Sequence, residues 1–135
     1  MPRSETQNEQ MRAATRQTLL DTGMRLFAEN GYAHTSTRRI AKEAGISAGL
    51  LYHYFDSKES LLRAVVEHSI AVIDERLLAE MEAAPPPLLL TRVLHGIFDL
   101  LESEANFWAF FYMLRSQPMI NRELGDFFRQ RTRDL

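Results

Sequence analysis

Hydrophobic side chains along this chain of 135 residues recur mainly at the three- and four-residue spacing of α-helices. In the first such segment Leu20, Met24 and Phe27 fall on one face, and Asn30-Gly31 ends the helix. The alternation typical of strands is nearly absent. The pattern therefore predicts an all-α protein, with helices over about 11–30, 37–44, 48–54, 57–84, 88–103, 105–116 and 120–135.

The most informative stretch begins at Ser36 and ends at Phe55. Ser36 and Ser47 are placed to accept hydrogen bonds from the free N–H groups that begin two short helices. Gly45 ends the first of them in a left-handed conformation that a Cβ would penalise. Leu51 and Phe55, four residues apart, give the second helix its buried face. Two helices joined by a Gly-containing turn form a helix-turn-helix, whose second helix enters the DNA major groove.

Four residues of the second helix fall on its other faces, where they can contact a partner: Ala48, Gly49, Leu50 and His53. A structural helical hairpin does not need two small residues at the start of a helix, whereas a helix end that presses against a groove does. His53 can hydrogen-bond a purine edge, and Ala48 or Leu50 can touch a thymine methyl group. Side-chain donors are few here, so DNA shape would carry much of the specificity.

Composition excludes several classes of protein. Apolar residues make up 45% of the chain, enough for a core, yet no apolar run approaches the roughly 20 residues that span a membrane. The chain has no cysteine, which excludes disulfides and thiolate metal sites and fits a reducing, cytoplasmic location. The four histidines lack metal-ligand spacing and no catalytic set stands out. We therefore expect no metal, no cofactor and no enzymatic activity.

The net charge of −2 hides an uneven distribution of charged residues. Residues 11–63 hold eight Lys and Arg against five Asp and Glu, whereas residues 64–135 hold seven against eleven. A basic bias on the segment with the helix-turn-helix is expected if that end of the molecule meets phosphates. Ordinary scatter would also give such a bias, so the charge distribution only supports the motif.

Five sequence blocks at fixed spacings extend the motif: Leu26-Phe27-Ala28-Glu29-Asn30-Gly31-Tyr32, Thr35-Ser36-Thr37-Arg38-Arg39-Ile40-Ala41, Ala44-Gly45-Ile46-Ser47-Ala48-Gly49, Leu51-Tyr52-His53-Tyr54-Phe55 and Ser57-Lys58-Glu59-Ser60-Leu61-Leu62. With these blocks the chain resembles the TetR/AcrR family of bacterial regulators. The resemblance implies a three-helix helix-turn-helix DNA-binding domain, a linking fourth helix and a helical-bundle regulatory domain. Beyond residue 65 it is only architectural. Where the family commonly has His, this chain has Tyr54, which can also donate to phosphate.

The resemblance also implies roles for individual positions. Those that match phosphate contacts are Thr35, Ser36, Ser47, Tyr52, Tyr54 and Lys58. Those that match base contacts are Ala48, Gly49, Leu50 and His53. By their charge, Arg38, Arg39 and Lys42 would help on the flanks, and Arg12 and Arg16 would add phosphate contacts as an N-terminal arm. Lys58 could instead be a solvated first-turn lysine, and Tyr52 could be half-buried packing.

Domain organisation follows from the same resemblance. We expect a flexible tail over residues 1–10, the DNA-binding domain over 11–56, and a ligand-binding and dimerisation domain over 57–135. Members of the family usually continue into two further helices, and residues 130–135 carry no glycine stop. The last domain is therefore expected to be incomplete, and a homodimer is expected if the full-length protein has further C-terminal helices.

Aromatic residues crowd the helices that follow the prolines at 85–87. An aromatic-rich helix with two apolar faces is either deeply buried or lines a cavity. Plain core is the simpler interpretation for most of them, but the resemblance favours some cavity for an apolar or aromatic effector. The candidate ligand contacts are Phe98, Phe107, Trp108, Phe111 and Arg115.

We therefore expect a ligand-responsive transcriptional regulator, a repressor released from double-stranded operator DNA by a small apolar effector. The alternative is a helical small-molecule-binding or protein-interaction module that does not bind DNA. The block from Ser47 to Lys58 separates the two, because a pure binding module has no reason to carry it.

Overall fold

The computed structural model of this protein describes residues 4–133, apart from the side chains at 119–120, 123–124, 127–128 and 131–132. Within that range the helices are α1 (Glu5–Asn30), α2 (Thr37–Ala44), α3 (Ala48–Tyr54), α4 (Lys58–Ala83), α5 (Leu89–Ser103), α6 (Ala105–Arg115) and α7 (Pro118–Arg133), with a 3₁₀ turn over Pro86–Leu88. The all-α prediction is confirmed. No described helix is both long and apolar enough to cross a membrane. The ends of the predicted tail and last helix, residues 1–3 and 134–135, lie outside the described residues.

The first helix begins earlier than the hydrophobic pattern predicts. Ser4 Oγ accepts a hydrogen bond from the backbone N–H of Gln7 at 3.3 Å, and Gln7 Oε1 accepts one from the N–H of Ser4 at 3.1 Å. This capping box satisfies N–H groups that would otherwise lack partners at the helix start. The helix therefore begins at Glu5 rather than near Met11, so residues 5–10 of the predicted tail are helical.

One hydrophobic core joins α1 to α2, α3, α4 and α6. Its most deeply buried members are Leu19, Leu20, Leu26 and Phe27 of α1, Ile40 and Ala41 of α2, Leu51 of α3, Leu61 and Val65 of α4, and Phe110 and Leu114 of α6. Burying each large apolar side chain contributes roughly 1.5–3 kcal/mol to stability. The core therefore extends across residue 56, where the sequence analysis places a domain boundary.

The contact between α1 and α6 is aromatic. The ring centroids of Phe27 and Phe110 are 6.5 Å apart, and both rings are fully buried. Phe27 also lies 5.5 Å from the ring of Tyr32, in the loop that follows α1. Because separating these rings would expose apolar surface, α6 and the three N-terminal helices form one packed unit.

Candidate nucleic-acid interface

The turn between α2 and α3 has the geometry that its sequence predicts. Gly45 has φ 76° and ψ 26°, the left-handed region. Its N–H donates to the carbonyl of Lys42 at 3.2 Å, and the N–H of Ile46 donates to Ala41 at 3.0 Å. These two bonds are the Schellman pattern, which satisfies the last carbonyls of α2 and reverses the chain. Ile46 packs against the core, so the angle between the two helices is fixed.

The second helix of the motif is anchored on one side and open on the other. Leu51 and Phe55 are buried, and Ser47 Oγ accepts the N–H of Leu50 at 3.0 Å. Of the residues predicted to approach bases, Gly49, Leu50 and His53 are exposed and Ala48 is half-buried. Tyr54, predicted to contact phosphate, is half-buried against the core.

A hydrogen bond that the sequence analysis did not predict joins the two helices of the motif. The Tyr52 hydroxyl lies 3.0 Å from Thr37 Oγ1, and the Tyr52 side chain is 49% exposed. The bond holds the phenol at the N-terminal end of α2. Thr37 therefore belongs to the same surface as Tyr52. Sequence spacing gives no sign of this pairing, because the two residues are 15 positions apart on helices whose relative angle is set by the turn.

The N-terminal end of α2 carries donors suited to an anion. Ser36 is the N-cap, and its Oγ accepts the N–H of Arg39 at 3.1 Å. The N–H groups of Thr37 and Arg38 lie in the first turn, where a helix leaves N–H groups without an intrahelical partner and where its dipole favours negative charge. The Arg38 side chain is exposed and has no acidic partner among the described residues. Arg25, by contrast, pairs with Glu43 at 2.6 Å.

One predicted phosphate contact, Thr35, has a structural role instead. Its side chain is only 1% exposed. The hydroxyl lies within hydrogen-bond distance of the carbonyls of Gly31 at 2.8 Å and Leu26 at 3.1 Å. A buried hydroxyl that points at two carbonyls cannot also reach a phosphate, so the prediction for the Thr35 side chain is wrong. The residue instead ties the loop before α2 to the end of α1.

The predicted phosphate ligand Lys58 begins α4 and lies against an aromatic ring. Its Nζ is 4.1 Å from the centroid of Tyr32, and partial burial lowers the pKa of Lys58. The pKa of the neighbouring Glu59 is also lowered, first by a bond to its own backbone N–H and then by one from Tyr32. A lysine in the first turn opposes the helix dipole. Such a local conflict is typical of a functional position.

The predicted effector contacts are only partly brought together. Phe107 lies 5.2 Å from the ring of Trp108 and 4.7 Å from that of Phe111, so these three form one cluster on α6. Phe107 is buried within it, whereas Trp108 is on the surface. Phe98 of α5 is 59% exposed, and Arg115 at the end of α6 is exposed.

Fold and surface together define a helix-turn-helix protein with a helical domain packed on its first helix. Residues 19–65 match the family model described as bacterial regulatory proteins, tetR family. The resemblance to this family inferred from the sequence is confirmed over these residues, which hold the helix-turn-helix.

Three relatives illustrate the similarity. The uncharacterized HTH-type transcriptional regulator YerO of Bacillus subtilis (strain 168) is 30% identical, over 82% of this chain and 39% of its own. The HTH-type transcriptional repressor KstR2 of Rhodococcus jostii (strain RHA1) is 47% identical, over 41% of this chain and 27% of its own. The crystal structure of a TetR-like transcriptional regulator from Rhodococcus sp. RHA1 superposes with a TM-score of 0.74 at 26% identity, covering 98% of this chain and 67% of that one.

The chain spans less than two thirds of the length of these two curated relatives. All three similar proteins are named as transcriptional regulators, in agreement with the expectation of a protein that is not an enzyme.

Proposed function

We propose that this chain binds double-stranded operator DNA through α2 and α3 and acts as a ligand-responsive transcriptional repressor. The observation that carries the proposal is the two-sided character of α3. Leu51 and Phe55 hold the helix in the core, while Leu50 and His53 face outward. A short helix fixed in this way can enter a major groove without moving the core.

Phosphate contacts on either side of α3 would set its register on the duplex. The paired hydroxyls of Tyr52 and Thr37, together with the first-turn N–H groups of α2, supply neutral donors. Lys58 supplies a charge from the start of α4. Two such surfaces about 34–36 Å apart would read the two half-sites of an operator, so the proposal includes a homodimer.

Release by an effector would act through α6. An apolar ligand at Trp108 and Phe111 that prefers a shifted α6 would change the position of α1, because Phe110 packs on Phe27. Such a ligand acts only through its difference in affinity between the two arrangements. The name of the Rhodococcus jostii relative supports a repressor, and the aromatic surface of α6 supports an apolar effector.

Fluorescence anisotropy with DNA from the region flanking the gene, between 50 and 200 mM salt, tests the proposal. Lys58→Gln should flatten the slope of log K against log salt by about 0.9 for each protomer, since one phosphate contact is lost. Tyr52→Phe removes only a neutral hydroxyl, so it should weaken binding about fivefold, the effect of roughly 1 kcal/mol, and leave the slope unchanged.

Arg122→Gln is the matched control for the loss of one positive charge. Arg122 lies on α7, outside the helices that are proposed to contact DNA. It should change neither the affinity nor the slope. If the wild-type chain binds this DNA no better than unrelated DNA and the three variants match it, the alternative of a module without DNA recognition replaces the proposal.

A further inference from the structure

A groove of about 450 Å³ lies between α1 and the start of α6. Its lining residues are Asp21, Thr22, Met24 and Arg25 of α1, Glu104 at the junction of α5 and α6, and Asn106 in the first turn of α6. This volume is in the range of small-molecule sites in proteins. The residues proposed to contact DNA and those proposed to contact an apolar effector do not line it, so the groove is a separate feature of the molecule.

The groove contains a buried hydroxyl that has no partner in the described part of the protein. Thr22 is only 9% exposed, and its side chain makes no hydrogen bond to any described residue. A threonine inside a helix commonly donates to the carbonyl four residues earlier, as Thr18 does to Ala14 at 3.0 Å. Buried polar groups without a hydrogen bond are rare, because nothing replaces their lost contact with water. Since Thr22 lines the groove, a partner for its hydroxyl must come from the groove.

Two carboxylates of the groove are available to a cation. Asp21 Oδ1 accepts a hydrogen bond from Gln17 Nε2 at 2.8 Å, but no described Lys, Arg or His is in ion-pair contact with this carboxylate. Glu104 contacts Arg76 through Oε1 alone, at 3.5 Å. Asp21 belongs to α1 and Glu104 to the junction before α6, so carboxylates face the groove from both of its sides.

The one positively charged residue among the described lining residues, Arg25, does not compensate these carboxylates. Its guanidinium lies 2.6 Å from Glu43 and 3.5 Å from Glu29, neither of which lines the groove. The positive charge is therefore already paired outside the groove, and the lining keeps an excess of negative charge.

We propose that this groove binds a small organic cation, an aliphatic amine in its ammonium form. An ammonium group carries three N–H donors and no acceptor, and the groove offers it acceptors in the carboxylates of Asp21 and Glu104 and the hydroxyl oxygen of Thr22. The side chain of Met24 provides apolar surface for the hydrocarbon part of the amine. A metal ion fits less well, because the described residues hold no group of three His, Cys, Asp or Glu side chains that could ligate one.

Isothermal titration calorimetry of the whole chain with 1,4-diaminobutane at pH 7 tests the site. Asp21→Asn and Glu104→Gln should each weaken binding about tenfold or more, because each removes a hydrogen bond between two charged groups. Thr22→Val should weaken it about fivefold, the effect of one neutral hydrogen bond.

The three variants should keep the fold, which melting experiments without the amine would verify. Asp21→Asn retains an oxygen that can accept from Gln17, and Glu104→Gln changes an exposed side chain. Thr22→Val keeps the shape of the side chain and removes a hydroxyl that bonds to no described residue, so its melting temperature should not fall below that of the wild type.

Glu9→Gln is the matched control for the loss of one negative charge. Glu9 lies on α1 twelve residues before Asp21, about 18 Å along the helix, so this variant should bind the amine like the wild type. Absence of binding by the wild type, or equal binding by the wild type, Asp21→Asn and Glu104→Gln, would overturn the site. Equally tight binding of magnesium chloride at matched ionic strength, abolished by the same two variants, would overturn the assignment to an organic cation. These titrations contain no DNA, so their outcome is independent of the proposed function.

Discussion

Replacing Thr35 by Val separates a structural threonine from a DNA contact. The hydroxyl is buried and lies 2.8 Å from the carbonyl of Gly31 and 3.1 Å from that of Leu26. Valine has nearly the same shape as threonine, so the substitution leaves no cavity. It removes only the donor that holds the loop before α2 to the end of α1.

The expected loss of stability in Thr35→Val depends on the hydrogen bonds that each of the two carbonyls still accepts. Leu26 O still accepts a hydrogen bond from Asn30 Nδ2 at 3.1 Å. Gly31 O loses its contact with the Thr35 hydroxyl, the shorter of the two that the hydroxyl makes, in a part-buried position. Losing one net hydrogen bond and leaving one carbonyl poorly satisfied costs about 1–2 kcal/mol. For a chain of this size, the melting temperature should fall by about 3–8 °C.

Thr37→Val is the matched control, because it removes the same group two residues further on. Its hydroxyl pairs with Tyr52 on the surface, so the stability should change by no more than about 0.5 kcal/mol. Thermal denaturation and DNA titration well below the transition measure both variants. Thr35→Val should lose stability and keep its affinity, and Thr37→Val should do the opposite. Unchanged stability with weaker DNA binding in Thr35→Val would refute the assignment of its hydroxyl to the fold.

Three other predictions address the turn, the start of α4 and the aromatic cluster. Gly45→Ala should destabilise the protein by about 1 kcal/mol, because the φ angle of Gly45 is 76°, and its affinity for DNA should be retained. Gly49→Ala should instead stabilise α3 by about 0.5–1 kcal/mol and weaken DNA binding, because it adds a methyl group to the exposed surface of the helix. Equal behaviour of the two variants in melting and anisotropy experiments would contradict this prediction. The pKa of Glu59 is lowered in the folded state, so its carboxylate adds stability that is lost as pH falls through that pKa; Glu59→Gln should therefore lower the melting temperature at pH 7 and have little effect at pH 2. Trp108 is the chain's only tryptophan, so its emission should change on titration with dodecanoate if α6 binds an apolar effector; an unchanged spectrum would count against that site.

The sequence predicted the helix-turn-helix well because its signals are local. Ser36 and Ser47 cap their helices as expected, and Gly45 adopts the left-handed conformation. Each signal acts within four residues of the bond that it forms, so it can be read without knowing the fold. The buried face of α3 was also predictable, because Leu51 and Phe55 share one side of a helix.

The errors arise where local signals are misleading or missing. The start of α1 has no apolar periodicity because residues 4–14 are exposed to solvent, and the Ser4 and Gln7 side chains mark it instead. Thr35 has the residue type of a phosphate ligand, yet whether a hydroxyl points inward depends on the path of the loop. The position of Arg12 beside α3 depends on the crossing of two helices, which spacing in the sequence cannot give.

The packing of α2 and α3, the helices proposed to bind DNA, limits how the proposed effector could release the protein from DNA. Lys58 lies on Tyr32, Tyr32 packs on Phe27, and Phe27 packs on Phe110, so these contacts connect a proposed phosphate ligand to α6. Breaking the contact between Phe27 and Phe110 would expose two buried rings, each contributing roughly 1.5–3 kcal/mol. Reversing a 99:1 equilibrium already requires about 5.5 kcal/mol of differential affinity. An effector that also had to expose both rings would need considerably more. The smaller cost would be a shift of α6 that keeps the rings packed and moves α1 together with α3 into a position that no longer fits the proposed half-site.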